Sequence, residues 1–374
     1  MDADVCVVGG GPAGLMLGLL LARQGVAVTV LEKHADFLRD FRGDTVHPST
    51  LDVLDELGLS DAVAQLPGRK VTTLRATFDD GTYPLVDFSR LRGAHPYILF
   101  LPQWDLLDML AEQAAKSPSF TLLRSTEVTD LLRDPDGRVT GVVAPGVEVR
   151  ARLTVACDGR GSLVRERLGL HPKEYAAPMD VLWFRVPRHD DDPDGLDMRV
   201  AAGGLLLCID RGSYFQCAYV IAKGGYDTVR AAGLDAFRDR LMRHASFFRD
   251  RLDAIGSWDD VKLLTVQVNR LETWHAPGVL LIGDAAHAMS PIGGVGINLA
   301  IQDAVATARL LGPRLAAGTF TDDDLALVQR RRSYPTRVIQ GFQRTAQKRV
   351  VDPLLQTTGR INAPLPLRGV ARLP

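Results

Sequence analysis

Residues 5–33 read VCVVGGGPAGLMLGLLLARQGVAVTVLEK, two apolar blocks separated by a glycine-rich turn. Val5 to Val8 form a short, continuous apolar run, which is typical of a strand buried on both faces. Gly9, Gly11 and Gly14 follow in a G-x-G-x-x-G pattern, and the apolar block after them predicts a helix that is buried almost all round. The stretch therefore predicts a strand, a tight turn and a buried helix.

The turn has the chemistry of a phosphate-binding loop. Its glycines permit a tight turn and close approach of the backbone to a pyrophosphate, and a helix opened by Pro12 supplies N–H groups and the positive end of its dipole. A second strand, Val26 to Leu31, then ends at Glu32, whose carboxylate can accept hydrogen bonds from a ribose diol and would repel a 2′-phosphate. The complete unit predicts a dinucleotide with an unphosphorylated adenosine ribose, either FAD or NAD.

The composition is that of an ordinary globular protein that is long enough for two domains. The chain has 374 residues, 46% hydrophobic and 24% charged, with a formal net charge of −1, so no global field attracts nucleic acid or acidic lipid. Its four cysteines form no C-x-x-C pair, which favours a reduced setting. No signal peptide is predicted, and no run reaches the roughly 18 apolar residues of a membrane span. We therefore expect a cytoplasmic protein with neither nucleic acid nor a membrane as partner.

Two further turns follow buried strands. In LTVACDGRGSLVRERLGL, residues 153–170, an apolar strand runs into Asp158, and Ser162 is placed to cap the next helix. In GVLLIGDAAHAMSPIGGVGINLAIQDAVATARLL, residues 278–311, a strand meets Gly-Asp and a Pro/Gly-rich loop opens a long helix. Such a loop can press backbone onto a flat ligand, and the helix start favours the negative charge of a reduced flavin.

Together the three motifs resemble the flavoprotein monooxygenase family of para-hydroxybenzoate hydroxylase, over about residues 4–345. The family patterns D-G-x-x-S-x-x-R and G-D…P-x-G-G-x-G-x-N are met here by Asp158, Gly159, Ser162 and Arg165 and by Gly283, Asp284, Pro291, Gly293, Gly294, Gly296 and Asn298. The resemblance implies an α/β fold. A Rossmann-type domain would hold FAD without a covalent bond, and an inserted, mainly antiparallel sheet would cover the flavin and bind substrate.

The resemblance also implies roles for single residues. Arg42 is expected at the FAD ribose–pyrophosphate, Gln103 at FAD from the start of a helix, Asp158 near the pyrophosphate and Asp284 at the ribityl–phosphate part. The residues expected to bind the cofactor are Gly9, Gly11, Gly14, Glu32, Lys33, Arg42, Gln103, Asp158, Asp284, Gly296, Ile297 and Asn298.

The scattered motifs predict a discontinuous FAD-binding domain of residues 1–70, 101–172 and 273–345. Residues 71–100 and 173–272 contain strand-like runs and are predicted to form the substrate-binding sheet domain, and residues 346–374 are predicted to form a C-terminal tail. The segment HDDDPDG, residues 189–195, is interpreted as a solvent turn, because its acidic residues do not have the spacing of a calcium loop.

The activity that the resemblance implies is hydroxylation of an aromatic, phenolic or polyketide-like small molecule. NAD(P)H binds transiently and reduces FAD, O2 adds at flavin C4a, and the hydroperoxide transfers one oxygen atom while the other leaves as water. The pocket must be dry, because water promotes loss of the peroxide before transfer. Candidate catalytic residues are Pro291, His47, Arg185 and Tyr214, with Gln216 as a further polar candidate. His287 of GDAAH is predicted to be a structural hydrogen-bonding residue.

Several alternatives remain open. A halogenase of the same fold is disfavoured because the Trp-x-Trp-x-Ile-Pro signature is absent, whereas a FAD-dependent reductase or a ubiquinone-pathway hydroxylase is harder to separate from an aromatic hydroxylase. A flavin-bound redox sensor without turnover is the alternative from another class. We predict no metal site, since the eight histidines show no ligand spacing. The protein is expected to be a monomer or a homodimer.

Overall fold

The structure is a computed structural model that describes residues 1–38 and 45–370, apart from the side chains of residues 366, 369 and 370. The described chain forms two compact units. The first comprises residues of Met1–Pro67, Leu101–Tyr175 and Gln267–Gly341, and the second comprises Gly68–Phe100, Ala176–Val266 and the described residues from Phe342 onward. All three glycine-containing motifs lie in the first unit.

The first unit is built on a sheet with parallel central strands. The order along this sheet is His275–Ala276, Val279–Leu281, Val147–Ala156, Asp2–Val8, Val28–Leu31 and Phe120–Leu123, and Val139–Ala144 and Asp130–Arg133 extend it from Val147–Ala156. The five strands from Val279–Leu281 to Phe120–Leu123 run parallel to one another. Their carboxyl ends therefore lie at one edge, where the loops that follow them meet.

The predicted opening unit is present, with one shifted boundary. The strand Asp2–Val8 leads into the helix Pro12–Ala22, which we call the fingerprint helix, and the next strand is Val28–Leu31. The strand begins two residues later than predicted, because the N–H of Val26 still donates to the carbonyl of Leu21 in the helix. The fingerprint helix packs against two other helices, Gln103–Ala115 and Gly296–Ala316, so its apolar residues are buried on nearly every side.

The first unit contains further helices and short elements. The other helices are Pro48–Glu56, Ser60–Ala64, Leu163–Arg167 and most of Leu325–Ala346. Short strands are Thr45–Val46, Lys173–Tyr175 and Val268–Arg270, and 3-10 turns are Gly283–Ala285, Ile292–Gly294 and Asp322–Asp324.

The second unit is built on a seven-stranded, mainly antiparallel sheet. The strand order is Lys262–Leu264, Met179–Pro187, Tyr214–Ala222, Gly204–Asp210, Leu196–Ala201, Thr73–Phe78 and Gly81–Asp87, and only Leu196–Ala201 and Thr73–Phe78 pair in parallel among these described strands. A separate antiparallel pair is Arg69–Val71 with Ile98–Phe100. The strands predicted around DDGT, VLWFRVPR, GLLLCID and YFQCAYVIA are thus present.

One face of this sheet forms the core of the second unit. Side chains that alternate along the strands, such as Phe184, Cys217 and Tyr219, pack with Phe237 and Phe248 from outside the sheet. The remaining elements of the unit are the helices Tyr226–Ala231, Leu234–His244, Asp352–Gln356 and Leu365–Val370, the 3-10 turns Phe88–Arg90, Ser246–Phe248, Leu252–Ala254 and Trp258–Asp260, and the π-helical turn Gln347–Val351.

The C-terminal residues are bound to the turn between two strands of the second unit. Asp79 accepts a hydrogen bond from the N–H of Ile361 at 2.6 Å, and Asp80 accepts one from the N–H of Ala363 at 2.8 Å. Arg368 lies 3.0 Å from the Asp80 carboxylate. The DDGT turn therefore holds this segment through its two carboxylates.

The predicted fold class, a Rossmann-type α/β arrangement with a mainly antiparallel second sheet, is confirmed. None of the helices within residues 1–38 and 45–370 combines the length and the apolar character needed to cross a membrane. In the same described part of the chain, no group of three or more His, Cys, Asp or Glu side chains is arranged to hold a metal ion.

Candidate functional site

The glycine turn is shaped by close backbone contacts. A Cβ atom on Gly14 would lie 1.9 Å from the carbonyl oxygen of Gly9, and one on Gly9 would lie 2.6 Å from the carbonyl oxygen of Cys157. Gly9 also has φ of 101°, which favours glycine. Gly11 differs, because a Cβ there would meet no described atom within 4 Å. Two glycines thus close the turn against the protein, and the third leaves space beside the helix start.

Glu32 is held beside this turn by backbone hydrogen bonds. The N–H of Gly10 donates to Oε2 at 2.9 Å, and the N–H of His34 donates to Oε1 at 3.0 Å. Glu32 is buried, with 8% of its surface exposed. The carboxylate is therefore fixed at the carboxyl end of its strand, where a ribose diol is expected.

The second turn places Asp158 at the end of the neighbouring strand. Its Oδ2 accepts a hydrogen bond from the N–H of Val164 at 3.2 Å, whereas Oδ1 is buried without a hydrogen-bond partner in the described structure. Burial raises the pKa of this carboxyl group above its ordinary value. Ser162 caps the helix Leu163–Arg167 as predicted, since its Oγ accepts from the N–H of Arg165 at 3.0 Å.

Two arginines connect the second turn to the third. Arg160 Nε donates to Asp284 Oδ2 at 3.2 Å. Arg165 donates to the carbonyl oxygen of Ala285 at 3.0 Å and also to the carbonyl of Arg160. The first turn joins them through the N–H of Cys157, which donates to the carbonyl of Val8 at 2.8 Å. The three sequence motifs therefore meet at one edge of the parallel sheet.

Asn298 is the centre of a hydrogen-bond network around the glycine loop. Its Nδ2 donates to the carbonyls of Thr45 and Gly294 at 3.0 and 3.1 Å, and its Oδ1 accepts from the N–H of His47 and the hydroxyl of Thr50, both at 2.8 Å. Gly294 has φ of 60°, and a Cβ there would lie 2.1 Å from Thr45 Oγ1. The amide of Asn298 thus fixes the loop in its conformation.

His47 also contacts the loop. Its Nε2 lies 3.1 Å from the carbonyl oxygen of Gly293. Because a carbonyl oxygen can only accept, Nε2 carries the proton, and Nδ1 of the neutral ring is an acceptor. Burial lowers the pKa of His47, although the bond to Gly293 opposes this effect. The ring is therefore neutral near pH 7. Pro291, half-buried, accepts from the N–H of Gly294 at 3.0 Å and so closes the same loop.

These residues fit a FAD molecule. The fingerprint helix and the helix Gly296–Ala316 both begin without an acidic residue in the first turn and without a side-chain cap among the described residues, so both N-termini can attract negative charge. A Cβ atom added to Gly296 would have no described atom within 4 Å, as at Gly11. The chemistry also matches: a carboxylate for a ribose, amides for a pyrophosphate and a helix start for the flavin.

The other predicted residues lie in varied places. Gln103 is the first residue of the helix Gln103–Ala115 and is half-buried, Ile297 is buried in the first turn of its helix, and Lys33 is exposed. Arg42 lies outside the described residues. Arg185, Tyr214 and Gln216 belong to two paired strands of the second unit, with the Arg185 guanidinium 5.0 Å from the Tyr214 ring and Gln216 accepting from Arg211 Nε at 3.0 Å.

Sequence reasoning missed several residues that hold the site together. Thr45, Thr50 and Arg160 carry no pattern that marks them, because their partners are distant along the chain. Asp303 does carry a signal, since it is a charged residue within the apolar stretch INLAIQDAVAT of residues 297–307. It is fully buried, and its Oδ2 accepts from the N–H of Gly283 at 3.1 Å.

Comparison with known proteins agrees with this geometry. The model of the family described as FAD binding domain matches residues 2–334. The chain is 34% identical to 6-methylpretetramide 4-monooxygenase of Streptomyces rimosus over 370 residues, covering 96% of this chain and 86% of that protein. It is 32% identical to rifampicin monooxygenase of Streptomyces venezuelae, covering 84% of this chain but only 64% of that longer protein.

A solved structure shows the same fold. The crystal structure of PqsL, a probable FAD-dependent monooxygenase from Pseudomonas aeruginosa, superposes with a TM-score of 0.82 at 24% identity, covering 95% of this chain and 98% of that one. The cofactor is FAD, and the chain belongs to the FAD-binding-domain family of flavoprotein monooxygenases.

Proposed function

We propose that this protein is a NAD(P)H-consuming hydroxylase of an aromatic, phenolic or polyketide-like small molecule. The observation that carries the proposal is the meeting of three turns, with Glu32, Asp158 and Asp284, at one edge of the parallel sheet. The similarity to enzymes named as monooxygenases of 6-methylpretetramide and rifampicin supports this substrate class.

FAD supplies the redox chemistry, since it takes electrons from NAD(P)H and activates O2 for transfer of one oxygen atom to the substrate. The chain holds and orients the cofactor. Glu32 would bind the adenosine ribose, the start of the fingerprint helix would bind the pyrophosphate, and Asp284 would bind the ribityl chain. The backbone of the loop at Gly293 and Gly294, which Asn298 fixes, would line the flavin edge. Arg42 and Gln103 remain proposed FAD contacts, and Lys33 is proposed to lie at the adenosine end.

We assign substrate contacts to one face of the sheet in the second unit. Along the strand Tyr214–Ala222, Phe215 and Cys217 face the core of that unit, so the alternate residues Tyr214 and Gln216 lie on the opposite face. Arg185 joins them there, with its cation over the Tyr214 ring. A cation beside an aromatic ring suits an electron-rich aromatic substrate whose oxygen carries negative charge.

His47 is proposed to handle a proton. Its neutral ring has Nε2–H bound to the Gly293 carbonyl, so Nδ1 can accept a hydrogen bond from a substrate hydroxyl or a water molecule. Deprotonation of a phenol increases electron density at the carbon to be hydroxylated, and a neutral imidazole is able to assist it. Pro291 contributes by closing the loop beside this histidine.

The test is a screen of aromatic acids, phenols and polycyclic polyketides for stimulation of NADH and NADPH oxidation by the FAD-loaded protein. Products are then identified under 18O2, and hydrogen peroxide is measured to quantify uncoupled turnover. The proposal predicts one 18O atom in the product of a stimulating compound. Reduction of the compound without 18O would identify a reductase instead, and no compound-dependent oxidation would favour a redox-sensing module.

Two variants test the substrate face. Arg185→Met is expected to raise KM for an oxygen-bearing substrate at least fivefold while FAD affinity stays unchanged. Arg90→Met is the matched control, because Arg90 is in the same unit with its side chain 84% exposed. Equal kinetic constants for both variants would remove Arg185 from the proposal.

A further inference from the structure

A buried cluster of charged side chains lies behind the FAD turns. Asp303, on the helix Gly296–Ala316, has no exposed surface. His287 Nε2 lies 2.6 Å from its Oδ2, and Arg332 Nε lies 2.6 Å from its Oδ1. The N–H of Gly283 donates to the same Oδ2 at 3.1 Å. One carboxylate therefore joins two helices to the turn that carries Asp284.

The cluster pairs one carboxylate with a guanidinium and an imidazole. His287 Nδ1 is buried without a hydrogen-bond partner in the part of the chain that the structure describes. A carboxylate can only accept, so the hydrogen bond to Asp303 is made by the Nε2–H of His287. The Asp303 carboxylate and the Arg332 guanidinium form a buried ion pair. Burial opposes ionisation of Asp303, but the His287 and Arg332 contacts outweigh it and hold the pKa of Asp303 below its ordinary value.

The geometry points to Asp303 as a positioning residue for FAD. Its carboxylate fixes the position of the Gly283–Asp284 turn relative to the start of the helix Gly296–Ala316. The carboxylate holds the first residue of the turn through its N–H, and it lies two helical turns beyond Gly296 on the helix that begins at the flavin. Arg332 on the helix Leu325–Ala346 fixes the other oxygen and also donates to Gln302 at 3.0 Å. The inference rests on the proposed role of these two segments in holding FAD.

The test uses Asp303→Asn in the full chain, with FAD affinity of the apoprotein measured by quenching of flavin fluorescence. The asparagine keeps the size of the side chain but loses the charge. Its NH2 group also faces one of the groups that now donate to Asp303, so that hydrogen bond is lost. We expect the Kd for FAD to rise at least tenfold. The charge of Arg332, which Asp303 no longer balances, is expected to stabilise anionic reduced flavin and so to make the midpoint potential of the bound FAD more positive.

Two further variants separate positioning from folding. Asp180→Asn is the matched control, because Asp180 is a buried carboxylate of the second unit that holds Lys223 at 2.8 Å and the N–H groups of Gly224 and Val266 at 2.9 Å. It is expected to lower the thermal midpoint of the apoprotein while FAD affinity and potential stay unchanged. Asp303→Asn with Arg332→Gln removes both charges and is expected to return the potential to that of the wild type, with FAD affinity still weakened.

If Asp303→Asn does not fold, His287→Leu provides a weaker form of the test. It leaves the pair of Asp303 and Arg332 and the N–H bond of Gly283 intact, and removes only the imidazole that also donates to Asp303 Oδ2. A rise in Kd of at least threefold supports the inference. Wild-type affinity and potential in a folded Asp303 or His287 variant would overturn it. Failure of the wild-type protein itself to bind FAD would instead overturn the proposed function.

Discussion

Substitution of Gly11 by alanine separates ligand binding from folding in this site. Gly11 has φ of −77° and ψ of −173°, which alanine adopts without strain. An added Cβ would meet no described protein atom within 4 Å, so the free energy of unfolding of the apoprotein is expected to change by less than about 0.5 kcal/mol.

The methyl group would instead occupy the space in which a pyrophosphate approaches the backbone. Overpacking of a tight contact costs about 1–3 kcal/mol, and each 1.4 kcal/mol is about tenfold in affinity. The Kd for FAD is therefore expected to rise by about 5- to 150-fold. FAD titration of the apoprotein by fluorescence quenching gives the Kd, and thermal unfolding without FAD gives the stability.

Gly256→Ala is the matched control, since its Cβ would make only an ordinary contact of 3.7 Å with Asp260 in the second unit. It is expected to leave the Kd for FAD unchanged. A Gly11→Ala variant that binds FAD within twofold of the wild type, or whose apoprotein is strongly destabilised, would contradict this role of Gly11.

Four other outcomes are expected. Glu32→Gln loses the charge-assisted bond to the ribose and one of its two backbone bonds, because an amide NH2 group cannot accept from the N–H of Gly10 or His34. FAD affinity is therefore expected to fall by about 1.5–3 kcal/mol in calorimetric titration; an unchanged Kd contradicts this role. Asn298→Ala removes the four hydrogen bonds of the amide, and chemical denaturation is expected to show a loss of about 2–4 kcal/mol in the free energy of unfolding, whereas a loss below about 1 kcal/mol argues against the network. The raised pKa of Asp158 means that its ionisation costs stability above the unfolded pKa of about 3.9. The apoprotein of Asp158→Asn should therefore have a higher thermal midpoint than the wild type at pH 7, and the two midpoints should lie closer together at pH 3. A lower midpoint of the variant at pH 7 refutes this assignment. Burial raises the pKa of Cys6 to about 12, so its thiol should not react with a disulfide reagent at pH 8 until the protein unfolds; rapid labelling of the native protein contradicts its burial.

Local patterns made the three turns predictable from the sequence. Glycine at positions 9 and 14 is required by contacts with the backbone within the turn or with the adjacent strand, and such requirements recur wherever a strand, a tight turn and a helix meet. Ser162 could be predicted as a cap for the same reason, since its partner is only three residues away.

The connections between the turns could not be predicted in this way. Asn298 bonds with Thr45 and Thr50, and Arg160 bonds with Asp284, across more than a hundred residues. Such pairs depend on how the parallel strands bring distant loops to one edge of the sheet. The spacing of residues within a motif does not indicate which loops meet there. The motif pattern indicated that Asn298 belongs to the site, but only the structure shows that its amide is satisfied by the protein itself.

The crystal structure of the protein grown with FAD tests the central claim most directly. We predict one FAD molecule along the edge of the parallel sheet, with the adenosine ribose at Glu32, the pyrophosphate at the start of the fingerprint helix and the ribityl chain at Asp284. A structure in which FAD binds elsewhere, or in which Asp158 and Asp284 lie far from the nucleotide, would contradict this account.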